Sequence, residues 1–139
     1  MLKWGLVPSW AKRCLIPADG FYEWAAVGGK KRATHFHLKD RSLFAFAGLW
    51  EFWTDGTVKL ATCSITTTDA NELVGSIHSR MPVIVPRRAY GRWLSVETQR
   101  AEIQAILKPY PTGEMDAVPV GRAVNSPRND GPECLQPAA

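Results

Sequence analysis

Residues 43–67, LFAFAGLWEFWTDGTVKLATCSITT, carry the strongest secondary-structure signal in the chain. Aromatic, β-branched and small apolar residues fill both halves of this stretch, and Asp55-Gly56 separates them. Because an Asp-Gly pair favours a tight hairpin turn, the pattern predicts two antiparallel strands at 43–53 and 57–67. We therefore expect an antiparallel sheet at the centre of the fold.

A second hairpin is predicted upstream, where Gly28-Gly29 separates the strand-like segments 21–27 and 33–38. Glycine lacks a Cβ and reaches positive φ without a steric clash, which suits a two-residue turn. Shorter strands are predicted at 4–7, 15–17 and 117–120.

Helical signals follow the two hairpins. Thr68 or Asp69 can cap a short turn, and Pro86 is placed to open a helix over 87–94. A further helix is predicted over 97–107, with its apolar residues on one face. The sequence contains no repeat or low-complexity linker, so we expect a single α+β domain over residues 1–139 with more strand than helix.

The composition is that of an ordinary globular protein. The 139 residues are 45% hydrophobic and 22% charged, and 17 Lys plus Arg against 13 Asp plus Glu give a net charge of +4. These values exclude a disordered, collagen-like or coiled-coil chain. No apolar run approaches about 18 residues, and the first residues do not resemble a secretory signal. We expect a soluble, cytoplasmic protein.

The cysteines and tryptophans bear on the compartment and the partner. Cys14, Cys63 and Cys134 are widely separated, so they suggest neither a disulfide framework nor a zinc site and are expected to be packing residues in a reduced compartment. Six Trp residues and a positive charge suit a single-stranded nucleic acid partner, although most tryptophans in small domains are packing residues.

Two histidines lie close together on a predicted strand. His35 and His37 are two residues apart and point to one face, a spacing that could hold a metal ion. Because no third ligand is suggested by spacing, we expect a paired surface or rim position, without a metal or other cofactor.

His78 and Glu23 are the candidates for proton transfer. His78 lies in a predicted loop two residues before Arg80, so it suits proton transfer beside a phosphate, and equally a histidine satisfied by the backbone. Glu23 lies among Phe21, Tyr22 and Trp24. If the face that it shares with Phe21 is buried, loss of water would make it a usable acid or base; otherwise it is an exposed strand residue.

Five stretches of the sequence form an ordered set of motifs: WGLVPSWA (4–11), CLIPADGFYEW (14–24), FAFAGLWE (44–51), IHSRMP (77–82) and VNSPRNDG (124–131). Taken together they resemble the SRAP family, the SOS response-associated peptidases or abasic-site processing proteins. They occur in the family's order and cover nearly the whole chain.

The resemblance implies a fold, a partner and a reaction. The fold is a pseudo-barrel of mainly antiparallel strands with a few peripheral helices, and the partner is single-stranded DNA containing abasic sites, near the nucleoid if the source is bacterial. Family members form a covalent thiazolidine crosslink with the abasic aldehyde. Their nucleophile is an N-terminal cysteine exposed by removal of the initiator Met, whose amine and thiol capture the aldehyde in turn.

The resemblance also assigns individual residues. Glu23 and His78 match the family's catalytic glutamate and histidine. Trp10 matches an aromatic residue that packs against DNA beside the lesion. Thr67 and Arg80 match residues that hold the DNA backbone, a role that suits the bidentate guanidinium of arginine.

Two departures from the family pattern concern the nucleophile. The chain begins Met1-Leu2-Lys3 where the family has Met-Cys-Gly-Arg, and an Asn-Ala-Arg-Ala-Glu type segment with a catalytic asparagine is missing between Arg13 and Cys14. The chain is therefore expected to form no crosslink. It is either a shortened version of an SRAP enzyme or a noncatalytic single-strand DNA-binding remnant. A small RNA-binding barrel would explain the tryptophans and the charge but not the five ordered motifs.

Overall fold

A computed structural model describes residues 12–138, and within them antiparallel strands predominate. The strands are β1 (Arg13–Ala18), β2 (Phe21–Val27), β3 (Lys30–Leu38), β4 (Phe44–Thr54), β5 (Lys59–Ile65), β6 (Thr67–Asp69), β7 (Arg80–Pro82), β8 (Ile84–Val85) and β9 (Met115–Val120). The helices are α1 (Glu72–Gly75), α2 (Tyr90–Leu94) and α3 (Arg100–Ile106). The strand predicted at 4–7 lies outside the described residues.

The strands form three antiparallel sheets. The first has the order β1-β4-β5, with β8 also paired to β4; the second is β2-β3-β9, and the third is the pair β6-β7. This arrangement confirms the predicted α+β class with mainly antiparallel strands. The described strands remain separate sheets and do not close into a barrel, so the predicted pseudo-barrel is open here.

Both predicted hairpins are present. Gly28 and Gly29 join β2 to β3 with φ of 57° and 73°, values that residues other than glycine rarely adopt. In the β4–β5 turn, Gly56 has φ 95°, and Asp55 Oδ1 accepts hydrogen bonds from the backbone N–H groups of Thr57 and Val58 at 2.9 and 2.8 Å. The predicted second strand was too long, because β5 ends at Ile65 and Thr67 belongs to β6.

The helix starts were predicted less well. Thr68 and Asp69 do not cap a helix, because they pair with β7; Asn71 caps α1 instead and accepts from Val74 N–H at 3.0 Å. Pro86 precedes a 3₁₀ turn that runs into α2, as expected. The last helix begins at Arg100, later than predicted, where Gln99 and Glu102 form a capping box.

Two apolar clusters lie on opposite faces of β4. Phe44 and Phe46 pack with residues that include Phe36 and Met81, whereas Ala47 packs in a cluster with Trp93. Because successive side chains of a strand alternate between faces, β4 contributes to both clusters. The first cluster joins the second sheet to α1 and β7, and the second holds α2 and α3 against the first sheet.

β1 is tied to α2 by polar contacts as well as by packing. Trp93 Nε1 donates to Cys14 O at 2.8 Å, and the buried Arg13 donates to the carbonyl oxygens of Trp93 and Ser95 at the end of α2. A cation at a helix C-terminus is favoured by the helix dipole and satisfies otherwise unpaired carbonyls. Among residues 12–138, no helix is long and apolar enough to cross a membrane.

Candidate nucleic-acid interface

Arg80 and Thr67 meet across the short β6–β7 ladder. Arg80 lies directly opposite Asp69. Its Nη2 donates to Thr67 O at 2.8 Å and to Thr67 Oγ1 at 3.2 Å, while its Nη1 donates to Asp69 Oδ1 at 2.8 Å. The guanidinium is thus held along β6, and its side chain remains 47% exposed. Its Nε–H has no partner among the described residues, so this cation still has hydrogen-bonding capacity for an anion.

Asp69 neutralises Arg80 only in part. The Asp69 side chain is 88% exposed, and a solvent-exposed ion pair contributes about 0–1 kcal/mol to stability. Because the pair contributes so little, a phosphate can replace Asp69 at the guanidinium at small cost. Arg80 is therefore both fixed in position and able to bind a phosphate.

The backbone of Arg80 also holds the ring of His78. Its Nδ1 lies 3.1 Å from Arg80 N and 3.0 Å from Arg80 O, and its own N–H donates to Val74 O at 3.0 Å. A neutral ring accepts from Arg80 N–H at Nδ1 and carries its proton on Nε2; a protonated ring donates to Arg80 O. Either form places Nε2, which has no partner among residues 12–138, on an exposed loop. These contacts fit a loop histidine held by the backbone, and the role of His78 in proton transfer stays a prediction.

Glu23 lies in the middle of β2, opposite Thr34, and is half-buried. The alternation expected around it is confirmed: on its face, Phe21 stacks on Phe36 with ring centroids 5.2 Å apart and meets Phe46 of the first sheet at 6.0 Å. Tyr22 points to the opposite face, 5.1 Å from the ring of His35. The Glu23 carboxylate thus lies on the face turned toward the first sheet, without a hydrogen-bond partner in the described part of the chain.

The predicted site residues fall into two groups. Thr67, His78 and Arg80 are brought together, whereas no hydrogen bond or ion pair between described residues joins Glu23 to any of them. The groups flank one core cluster, because Met81, next to Arg80, belongs to the cluster against which Phe21 packs. Trp10 lies outside the described residues.

The paired histidines are not at the surface. His35 and His37 do share a face of β3, with ring centroids 5.4 Å apart, but only 7% and 1% of these residues are exposed. The expectation of a surface or rim position was wrong because residues 33–38 of β3 are covered on both faces. Burial, followed by the neighbouring His37, lowers the pKa of His35. In the described residues, no three His, Cys, Asp or Glu side chains are grouped so as to hold a metal ion.

The three cysteines differ in environment. Cys14 packs beneath Gly48, and burial raises the pKa of its thiol, which disfavours the nucleophilic thiolate. Cys134 is half-buried, and its Sγ lies 3.6 Å from Asn129 O. Cys63 was expected to be a packing residue, but it is exposed, as are all the other residues of β5.

Two features of the interface escaped the sequence analysis. Asp69 was considered only as a helix cap, yet it pairs with Arg80. Asn125, which lies in the last of the five motifs, accepts a hydrogen bond from Trp24 Nε1 at 2.8 Å and so links the 122–125 turn to β2. The order of the motifs was the available signal for Asn125. No sequence signal indicated that Asp69 pairs with Arg80, because strands of three residues are too short to show a periodicity.

Comparisons with known proteins place these features in a family. Residues 11–127 match the family model for SOS response associated peptidase (SRAP). The abasic site processing protein YoqW of Bacillus subtilis is 39% identical, over 97% of this chain and 75% of that protein. The abasic site processing protein HMCES of Gallus gallus is 30% identical, over 98% of this chain and 56% of that protein.

A solved structure and an alignment add two facts. The crystal structure of a protein from Bacteroides thetaiotaomicron superposes with a TM-score of 0.85 at 34% identity, and the match covers 95% of this chain but 59% of that one. The alignment with YoqW runs over 167 positions, more than the 139 residues of this chain. YoqW therefore carries residues inside the aligned region that have no counterpart here.

Proposed function

Because the chain belongs to the SRAP family, we propose that its residues 1–139 form one SRAP-like domain that binds single-stranded DNA at abasic sites. The observation that carries this proposal is the arrangement of Thr67, His78 and Arg80. The guanidinium of Arg80 is fixed on Thr67 and remains half-exposed, and the backbone of the same residue holds the exposed ring of His78. An anionic strand with a reactive sugar requires that combination of groups.

Arg80 supplies the phosphate contact in this proposal. Its hydrogen bonds to Thr67 fix the plane of the guanidinium, so less side-chain entropy is lost when a phosphate binds. Thr67 contributes its hydroxyl to the same surface. A phosphate oxygen that displaces Asp69 from Nη1 would receive a charge-assisted hydrogen bond, which is stronger than a neutral one.

His78 and Glu23 supply proton transfer. Nε2 of His78 is free of described partners and can give or take a proton at the deoxyribose as its ring opens to the aldehyde. Glu23, on the other side of the shared core cluster, is a half-buried carboxylate without a partner among residues 12–138. In this proposal one strand meets both groups, and Trp10 packs beside the lesion, as the family resemblance implies.

We propose further that the 139-residue chain binds without crosslinking. In the family's reaction, an α-amine condenses with the aldehyde to an imine with loss of water, and the neighbouring thiolate then adds to the imine carbon to close the ring. YoqW has inner residues without a counterpart here, and the family's Asn-Ala-Arg-Ala-Glu type segment is missing between Arg13 and Cys14. This difference favours the noncatalytic, single-strand DNA-binding alternative.

A denaturing gel tests this function. The 139-residue chain is incubated with a fluorescent single strand that carries one abasic site, and the mixture is run on native and denaturing gels. We expect a shifted band on the native gel and none on the denaturing gel. A heat-resistant shifted band would show that a covalent bond forms, and the absence of any native shift would contradict DNA binding.

A further inference from the structure

The first three residues of β3, residues 30–32, contribute to a second cationic surface. The β3–β9 ladder begins at Ala33 and Val120, so residues 30–32 pair with β2 alone. The turn 122–125 folds against this end, where Asn125 Nδ2 donates to Lys31 O at 3.4 Å. Together they enclose a cavity of about 410 Å³, the hairpin cleft, which we define by Lys30, Lys31, Arg32 and Arg122.

The charge of the hairpin cleft is uncompensated within the described residues. All four of its basic side chains are exposed, and the residues that line the cavity include no Asp or Glu. None of the four forms an ion pair with another described residue. By contrast, Lys12, Arg80 and Arg92 each pair with an acid. Four like charges around one cavity repel one another, and a bound polyanion relieves that repulsion.

We propose that the hairpin cleft binds the phosphodiester backbone of single-stranded DNA next to the nucleotide held at Glu23. This inference rests on the function proposed above. Thr34, opposite Glu23, is three residues from Lys31, which corresponds to about 10 Å along a strand. Arg32 shares the strand face of Thr34 and Glu23, because alternate residues point to the same side. Lys31 points to the opposite face, so a strand held at Glu23 meets the cleft at Arg32 and reaches Lys31 across the β3 edge that β9 leaves unpaired.

Trp24 adds a second contact suited to a nucleic acid strand. Trp24 is 40% exposed on the face of β2 opposite Glu23, and the hydrogen bond from Nε1 to Asn125 holds the indole beside the cleft. Aromatic rings next to cationic grooves stack nucleobases in proteins that bind single strands without sequence preference. A row of cations on an extended segment also matches the repeated charge of a strand better than a single small anion.

A charge-matched pair of variants tests the hairpin cleft. The cleft triple is Lys30→Ala, Lys31→Ala and Arg32→Ala; the control triple is Arg88→Ala, Arg100→Ala and Lys108→Ala, which removes the same net charge elsewhere. The affinity of each for an undamaged, fluorescent single strand is measured by anisotropy over a salt series. Each phosphate contact contributes about 0.7 to the slope of log affinity against log salt for single strands.

We expect the slope of the cleft triple to be shallower than that of the parent by about 2, and that of the control triple by less than about 0.7. Arg122→Ala, on the other wall of the cleft, should reduce the slope by about 0.7 without altering the hairpin. Thermal unfolding of each variant shows whether it is folded. These expectations hold whether or not the strand carries an abasic site.

Three outcomes would overturn the inference. If both triples change the slope equally, the effect is general electrostatics and the hairpin cleft has no special role. If the cleft triple binds like the parent while Arg80→Ala weakens binding, the cleft assignment fails and the proposed function survives. If the parent chain binds no single strand even at low salt, both proposals fail.

Discussion

Asp69→Asn should strengthen DNA binding, although it removes the acid of an observed ion pair. The carboxylate lies 2.8 Å from Arg80 Nη1 and faces the surface where we place a phosphate. Asn keeps an oxygen that can accept from Nη1 but loses the charge that competes with, and repels, the phosphate. Because the Asp69 side chain is 88% exposed, the pair contributes about 0–1 kcal/mol.

That range sets the expected size of the effect. Removing a competing interaction of up to about 1 kcal/mol raises affinity up to about five-fold, since 1.4 kcal/mol corresponds to a factor of ten. Anisotropy with an undamaged single strand at low salt measures the change, and Glu97→Gln is a control that removes one negative charge elsewhere. The gain should shrink at high salt because the lost charge is screened. Weaker binding by Asp69→Asn would refute the reasoning and indicate that Asp69 positions Arg80 for DNA.

Two further predictions concern stability. Gly48→Ala places a Cβ 2.6 Å from Cys14 Sγ and 2.9 Å from Ile16 Cδ1 across the β1–β4 pair, and should lower the free energy of unfolding by about 1–3 kcal/mol in urea denaturation; an unchanged midpoint would contradict the close packing. The pKa of buried His35 is lowered from 6.5, so below that pH the unfolded state binds more protons than the folded state. The contribution of neutral His35 to stability is therefore fully present above pH 6.5 and is lost as the pH is lowered from there through the pKa of the folded state. The melting temperature of His35→Gln should depend less on pH than that of the parent.

The two hairpins could be predicted because their determinants are local. Asp55-Gly56 and Gly28-Gly29 encode the turns directly, and the alternation around Glu23 follows from the strand period. The cap of α1 could not be predicted in the same way. Thr68 and Asp69 have the right chemistry for a cap, but pairing with β7 takes them into a strand and leaves the role to Asn71.

Burial and long-range pairing account for the other differences. The sequence places His35 and His37 on one face, yet whether that face is buried depends on residues far along the chain that pack against β3. The proximity of His78 to Arg80 follows from their spacing. Thr67 is 13 residues from Arg80, and only the resemblance to the SRAP family indicated before the structure that the two act together.

The most direct test of DNA binding at Arg80 is the salt dependence of single-strand affinity for Arg80→Ala beside the parent and Arg88→Ala. A lost phosphate contact should weaken binding at low salt and make the log–log slope shallower by about 0.7, and Arg88→Ala should stay close to the parent. Equal affinities of Arg80→Ala and the parent across the whole salt series would contradict the assignment of Arg80 to the DNA interface.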